Sequence, residues 1–221
     1  MTPVHGAGRP ARGRPLRIGL LGGSFNPAHK GHRGISLAAV RALDLDEMWW
    51  LVSPGNPLKP RAGMAPLSAR LASARRVARH APIRPSTIES RLGTRYTVDT
   101  VAKLVRRYPR HRFIWVMGAD NLGQFDRWRQ WRRIARTLPI AVVARPGYDD
   151  DARTSPAAGW LRRFQRPVSQ ARNWTEWSVP ALVLLRFRPD PTSATQVRAA
   201  DPVWHQRLTK PISAAEPSTQ E

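Results

Sequence analysis

The 221-residue chain contains no cysteine. That excludes disulfides, thiolate nucleophiles and cysteine-ligated zinc, and it suits a cytoplasmic protein. Acidic side chains are scarce: Asp and Glu number 15 against 37 Lys and Arg, for a formal charge of +22. No apolar run approaches the ~18 residues of a membrane span, so no membrane partner is expected. The basic opening "MTPVHGAGRPARGRPLR" has no apolar stretch behind it and does not read as a secretory signal. Familiar signatures are missing too. There is no G-x-x-x-x-G-K-[ST], no strand-linked G-x-G-x-x-G, no H-E-x-x-H and no G-x-S-x-G. The commonest phosphate-loop, dinucleotide, zinc-protease and serine-hydrolase readings go with them.

Lysine is rare among the basic residues. Only Lys30, Lys59, Lys103 and Lys210 are present; the rest are arginines spread along the chain. With abundant Ala and Pro, this pattern reads as codon bias rather than as a nucleic-acid site. Specific nucleic-acid binding is therefore not expected, although so basic a surface attracts polyanions weakly and in a salt-dependent way.

Apolar residues make up 41% of the chain, enough for one good core. The reading is a single domain over 16–200, with a flexible basic N-terminal tail (1–15) and a C-terminal tail (201–221). Oligomeric state, including a homo-oligomer, is left open. "LRIGLLG" (16–22) is a buried strand and "GHRGISLAAVRALDL" a helix. "EMWWLVS" is a strand, "PGNPLKPRAGMAP" a loop and "LSARLASARRVARHA" a helix. "STIES" reads as a short strand and "YTVDTVAKLVRRY" as a helix. "RFIWVMGAD", "LPIAVVARPG" and "ALVLLRF" read as strands, "GYDDDARTSP" as a surface loop, and "SATQVRAA" as a last short helix. Alternation of this kind predicts an α/β fold: a Rossmann-like, doubly wound parallel sheet with its ligand at the carboxyl ends of the strands.

The chemistry-bearing residues fall at those ends. Gly22 and Gly23 allow close backbone approach, and a helix starting near Lys30 offers free amides and a positive dipole end. His29 and His32 flank that start, so both rings can face one anion. A third metal ligand is lacking, and no protein metal site is expected. Near the other end of the domain, Ser193 or Thr195 can cap a helix from which Arg198 reaches phosphate. Two donor-rich helix starts suggest a polyphosphate held between them. No carboxylate base adjoins either one. A phosphate monoester is already ionised at neutral pH and needs none to attack another phosphate.

"GGSFNPAHKGH" resembles the GG-[ST]-F-[DN]-P-x-H-x-G-H signature of the nucleotidyltransferase superfamily with the H-x-G-H motif, and "TSATQVR" resembles its partner motif. "FIWVMGADNLGQFDRWRQW", "AVVARPG" and "RYTVDT" are similar to bacterial nicotinate-nucleotide adenylyltransferases. The likeness runs from about Arg17 to Ala200 and implies transfer of AMP from ATP to nicotinic acid mononucleotide, with Mg²⁺ carried on the phosphates. It implies that Gly22, Gly23, Ser24 and Phe25 floor the nucleotide site. His29 and His32 would bind the ATP phosphates and stabilise the transition state. Ser193, Thr195 and Arg198 would grip the β- and γ-phosphates. Asp120 would contact the sugar or position the mononucleotide, and Trp128 would stack on the nicotinate ring. Backbone near Thr97 and Arg129 would receive its carboxylate.

Asn56 and Lys59 lie where the family has a mobile loop, with Lys59 placed to meet substrate phosphate. That loop reads "PGNPLKP" where many members have Pro-Pro-His-[KR], so Leu58 stands near the place of a histidine. Asn26 stands where aspartate is commoner. Trp49, Trp50 and Trp115 are expected in the core, and Trp131 in packing. The rival readings are a sister transferase acting on nicotinamide mononucleotide or pantetheine phosphate, and an RNA-binding protein. "RWRQW" and "RYTVDT" weigh against the first, and the short length against the second.

Overall fold

A computed structural model describes residues 14–55, 62–144, 154–187 and 193–209. Among them six parallel strands form one sheet in the order β3-β2-β1-β4-β5-β6. They are β1 (Arg17–Gly23), β2 (Glu47–Val52), β3 (Ile83–Ser86), β4 (Arg112–Gly118), β5 (Ile140–Ala144) and β6 (Leu182–Arg186). Between them run helices α1 (Lys30–Leu43), α2 (Leu67–Val77), α3 (Ile88–Leu92), α4 (Thr97–Arg107), α5 (Ala119–Leu122), α6 (Trp131–Ala135) and α7 (Pro156–Leu161). Helices α8 (Ala194–Ala200) and α9 (Gln206–Thr209) follow β6.

Period-two alternation sorts the strand side chains onto the two faces. On β4, Phe113, Trp115 and Met117 join the core under α4, α6 and α7, while Ile114 and Val116 join the one under α1 and α2. Helix α1 answers with a buried stripe of Ile35, Ala39 and Leu43, spaced by four. The same core takes in Trp174, from a 3₁₀ stretch over Val168–Glu176, whose Nε1 donates to Leu43 O at 3.0 Å.

The sheet order reverses direction between β1 and β4, and a doubly wound sheet opens its ligand crevice at that point. Trp50 is fully buried, and its Nε1 donates to Ser36 Oγ at 2.8 Å, pinning α1 against β2. The glycine at the end of β1 has a packing cause. A β-carbon on Gly22 would lie 2.9 Å from the Trp115 ring, so the bare backbone makes room for indole as well as for ligand.

Two expectations need correction. "STIES" is not a strand: β3 is the preceding Ile83–Ser86, and Ile88–Leu92 is helical. Ser86 Oγ accepts from Ile88 N at 3.0 Å, and Gly93 ends the turn in the left-handed region at φ 60°. Pro85 is tolerated in β3 because that strand is at the sheet edge. The stretch after Ala200 is also not simply tail. Trp204 is buried against Ala65 and Ala69, and α9 packs on α2. The remainder of both expected tails, residues 1–13 and 210–221, lies outside the described residues, as does 147–153 of the expected surface loop.

Candidate active site

At the switch point lies an open cleft of about 880 Å³. It is lined by Gly22, Gly23, Ser24, Phe25, His29, His32, Thr97, Asp120, Trp128, Arg129, Ser193, Thr195 and Arg198. All these residues were singled out in the sequence, and the fold brings them to one place. Asn56 and Lys59 lie outside the described residues.

At one end the β1–α1 loop presents two imidazoles. His29 caps α1 with extended backbone, and its Nδ1 accepts from Gly31 N at 3.2 Å. His32 Nδ1 accepts in turn from His29 N at 3.3 Å. With both Nδ1 atoms engaged as acceptors, each neutral ring carries its proton on Nε2 and is a donor there. The rings sit 3.9 Å apart between centroids, and Phe25 backs His32 at 4.8 Å. Phe25 takes φ 48°, a turn that leaves its ring stacked on Trp50 at 4.8 Å.

The second donor set arrives from far along the chain. Ser193, not Thr195, caps α8: its Oγ accepts from Gln196 N at 3.2 Å. Thr195 Oγ1 instead accepts from Arg198 Nη2 at 3.2 Å. Arg198 Nη1 donates to Asn26 O at 2.7 Å, joining the two motifs across 172 positions. Asn26 does more than replace an aspartate. Its Nδ2 donates to Gly63 O at 2.9 Å while its Oδ1 accepts from Ala65 N at 3.1 Å. A carboxylate at this position would set an acceptor against the Gly63 carbonyl.

The opposite end is aromatic. Trp128 is half-buried, edge-to-face with Trp115 at 5.9 Å and with Phe125 at 5.3 Å. Arg129 lies over the Tyr96 ring at 4.7 Å, which brings it beside the start of α4, where Tyr96 supplies no side-chain cap. Asp120 lies in the first turn of α5, two residues beyond β4, and is exposed; a β-carbon on Gly118 would sit 2.4 Å from its Oδ1. Trp115, expected as core, is core and cleft wall at once, and its buried Nε1 has no hydrogen-bond partner among the described residues. Trp50 is buried and Trp131 packs against Phe125 and Trp160, whereas Trp49 is only half-buried.

The match to known proteins is extensive. The cytidylyltransferase-like family model matches residues 20–200. A probable nicotinate-nucleotide adenylyltransferase from Erythrobacter litoralis is 62% identical, over 87% of this chain and 88% of that one. The chain belongs to the nicotinate-nucleotide adenylyltransferase family. The Parvibaculum lavamentivorans member is 53% identical over 83% of this chain and 91% of its own. In fold the chain is similar to the Plasmodium falciparum nicotinic acid mononucleotide adenylyltransferase complexed with NaAD, with a TM-score of 0.57 and 14% identity over 83% of each chain.

Two residues of the site carried no signal in the sequence. Glu89, from α3, lines the cleft and is buried. Its Oε1 accepts from Thr100 Oγ1 at 3.3 Å, and Oε2 has no hydrogen-bond partner among the described residues. Burial pushes this carboxyl up to about 7, against the opposing pull of hydroxyls at Thr100 and Ser53. The second is Arg70 of α2, hidden behind the loops, whose guanidinium burial draws its pKa down. Arg70 reads in the sequence as one more solvated arginine, and Glu89 as part of a strand. Only the tertiary fold puts either beside the cleft.

Proposed function

We propose that this chain transfers AMP from ATP to nicotinic acid mononucleotide, releasing pyrophosphate and forming nicotinic acid adenine dinucleotide for NAD biosynthesis. The observation that carries this reading is the joining of the two donor sets in one cleft, with Arg198 bonded to the Asn26 carbonyl beside His29. The triphosphate lies between His29 and His32 on one side and Ser193, Thr195 and Arg198 on the other. Gly22, Gly23, Ser24 and Phe25 form the floor beneath it.

At the aromatic end Trp128 stacks on the nicotinate ring. Amides near Thr97 and Arg129 receive its carboxylate, and Asp120 contacts the sugar or positions the mononucleotide. Asn56 and Lys59 stand in the loop assigned to substrate phosphate. The mononucleotide's phosphate then attacks the α-phosphorus in line, the bond to the β-phosphate oxygen breaks, and no covalent enzyme intermediate forms. The imidazole Nε2–H groups supply fixed donors, and the Arg198 guanidinium a fixed positive charge, where negative charge grows.

The donor chemistry of the wall suits phosphate rather than a resident metal. Among the described residues no group of three His, Asp or Glu is placed to hold an ion. Mg²⁺ would accordingly be held by the ATP phosphates, where it neutralises their charge. A cytoplasmic setting is part of the same proposal; no helix among the described residues is long and apolar enough to cross a membrane. The test is pyrophosphate release from Mg-ATP with nicotinic acid mononucleotide, nicotinamide mononucleotide and pantetheine phosphate in parallel. Release with the acid mononucleotide well above the other two supports the reading. Release chiefly with either of the others moves the chain to a sister activity.

A further inference from the structure

Arg70 is 2% exposed, among the most deeply buried large side chains of the protein. Among the described residues, every hydrogen bond it makes is to a backbone carbonyl. Nε donates to Ala65 O at 2.9 Å, Nη1 to Ser24 O at 2.8 Å and to Ser53 O at 2.6 Å, and Nη2 reaches Pro54 O at 3.5 Å. No ion pair among the described residues involves it. A buried cation ordinarily carries a carboxylate partner, because desolvation is costly. Here carbonyl dipoles stand in for that partner, and the net charge stays.

The carbonyls it gathers belong to three separate segments. Ser24 is in the loop after β1, Ser53 and Pro54 follow β2, and Ala65 precedes α2. Ser24 and Ser53 both line the cleft, and Ser24 adjoins the turn that leads to His29. The guanidinium thus lies one peptide group behind the wall. A planar fork is suited to this task, since it fixes several acceptors in one plane at set angles. A lysine ammonium would keep the charge and lose the fork.

We propose that Arg70 is a positioning residue for the triphosphate half of the cleft: it ties the loops after β1 and β2 at the spacing the phosphates require and places an un-neutralised positive charge behind them. This rests on the adenylyl-transfer reading for the identity of the polyanion. It does not touch substrate and acts through the Ser24 and Ser53 peptides. Its effect therefore falls most on ATP, which carries three phosphates, and least on the pyridine end of the mononucleotide, since no segment it holds contributes Trp128 or Arg129.

Two variants, Arg70→Met and Arg70→Lys, separate fork from charge. Thermal unfolding, kcat, and KM for ATP and for the mononucleotide are measured for each. Binding of inorganic tripolyphosphate is followed by calorimetry. Arg70→Met is expected to raise KM for ATP and weaken tripolyphosphate on the order of tenfold, from the loss of one charge at short range. KM for the mononucleotide should move clearly less than KM for ATP, because Trp128 and Arg129 hold its ring and Arg70 reaches neither. Arg70→Lys should recover part of the tripolyphosphate affinity. If Arg70→Met does not fold, the Lys variant carries the test through its unequal effect on the two KM values.

Equal changes in both KM values, tracking the loss of thermal stability, would make Arg70 a structural brace and overturn the proposal. So would tripolyphosphate binding unchanged in every folded variant. If the wild type releases no pyrophosphate with any mononucleotide, adenylyl transfer is what has failed. The tripolyphosphate titration still decides the role of Arg70 in that case.

Discussion

The end of the cleft beside β1 and the end beside α4 are made of different materials. The first is backbone and fixed donors: two imidazoles held by main-chain amides, and an arginine tied to a main-chain carbonyl. The second is rings and a buried carboxyl: Trp115, Trp128, Tyr96 and Glu89, packed edge-on or hydrogen-bonded to hydroxyls. Charge that grows during a reaction is best met by groups that need not reorganise, which is what the first end provides. A flat heteroaromatic ring is best held by flat rings, with a few donors to choose its substituent. The contrast implies that one end serves turnover and the other serves substrate choice.

Substitutions can break that division, the largest effect on turnover coming from the imidazoles. His32→Ala should lower kcat by ~10²–10³-fold, the usual result of removing one preorganised donor, with a smaller change in KM. His29→Ala should behave alike. Steady-state kinetics on folded protein check this, and near wild-type kcat in both variants would remove the phosphate role from that loop. Arg198→Met comes next. Losing a charge-assisted bond of ~1.5–3 kcal/mol should raise KM for ATP by roughly tenfold to a hundredfold. A larger change in KM for the mononucleotide would show that α8 serves the other end.

Trp128→Ala sharpens the comparison from the aromatic side. Stacking of a base on an aromatic ring is worth ~1–3 kcal/mol. Acid and amide mononucleotides should both bind about tenfold more weakly, with the preference between them largely kept and kcat little changed. Competition binding measures this, and a collapse of the preference would mean that the ring itself reads the substituent.

How far these ends were legible in the sequence follows from how they are built. Most of the first end is a strand, a turn and a helix start in unbroken order, so glycines, histidines and a helical stripe announce it between Gly22 and Leu43; Arg198 joins it from α8. The doubly wound parallel sheet follows from the same alternation, though not the order of its six strands. The second end is put together by packing. Trp115 shows the β-pattern of a core strand and nothing that marks its indole as cleft wall. Glu89 follows Ile88 in a run whose β-branched residues read as a strand, while the true strand contains Pro85. Arg70 and Asn26 act through carbonyls of segments that touch only when folded. No local pattern encodes those contacts.

Glu89 bears least on turnover and most on stability. Its carboxyl titrates near 4.5 when unfolded and at about 7 in the fold. Between those values the folded protein holds a proton that the unfolded chain has lost. Stability is therefore full below about 4.5, falls as pH rises towards 7, and stays reduced above it, by at most ~3 kcal/mol. Glu89→Gln should remove this slope, gaining stability relative to wild type at pH 8 and much less at pH 5. Denaturant midpoints at the two pH values give the answer, and an unchanged difference between them would mean that Glu89 is ionised in the fold.

Substrate choice tests the central claim most directly. Amides near Thr97 and Arg129 offer donors to the pyridine substituent, which a carboxylate satisfies with charge-assisted bonds. A carboxamide turns its own NH₂ towards a donor and leaves both groups unpaired, at ~1–3 kcal/mol for each buried group. The measurement is kcat/KM for nicotinic acid mononucleotide and nicotinamide mononucleotide at saturating Mg-ATP. The account predicts a preference for the acid of at least ~30-fold, the effect of two such penalties together. Equal values, or a preference for the amide, would contradict it.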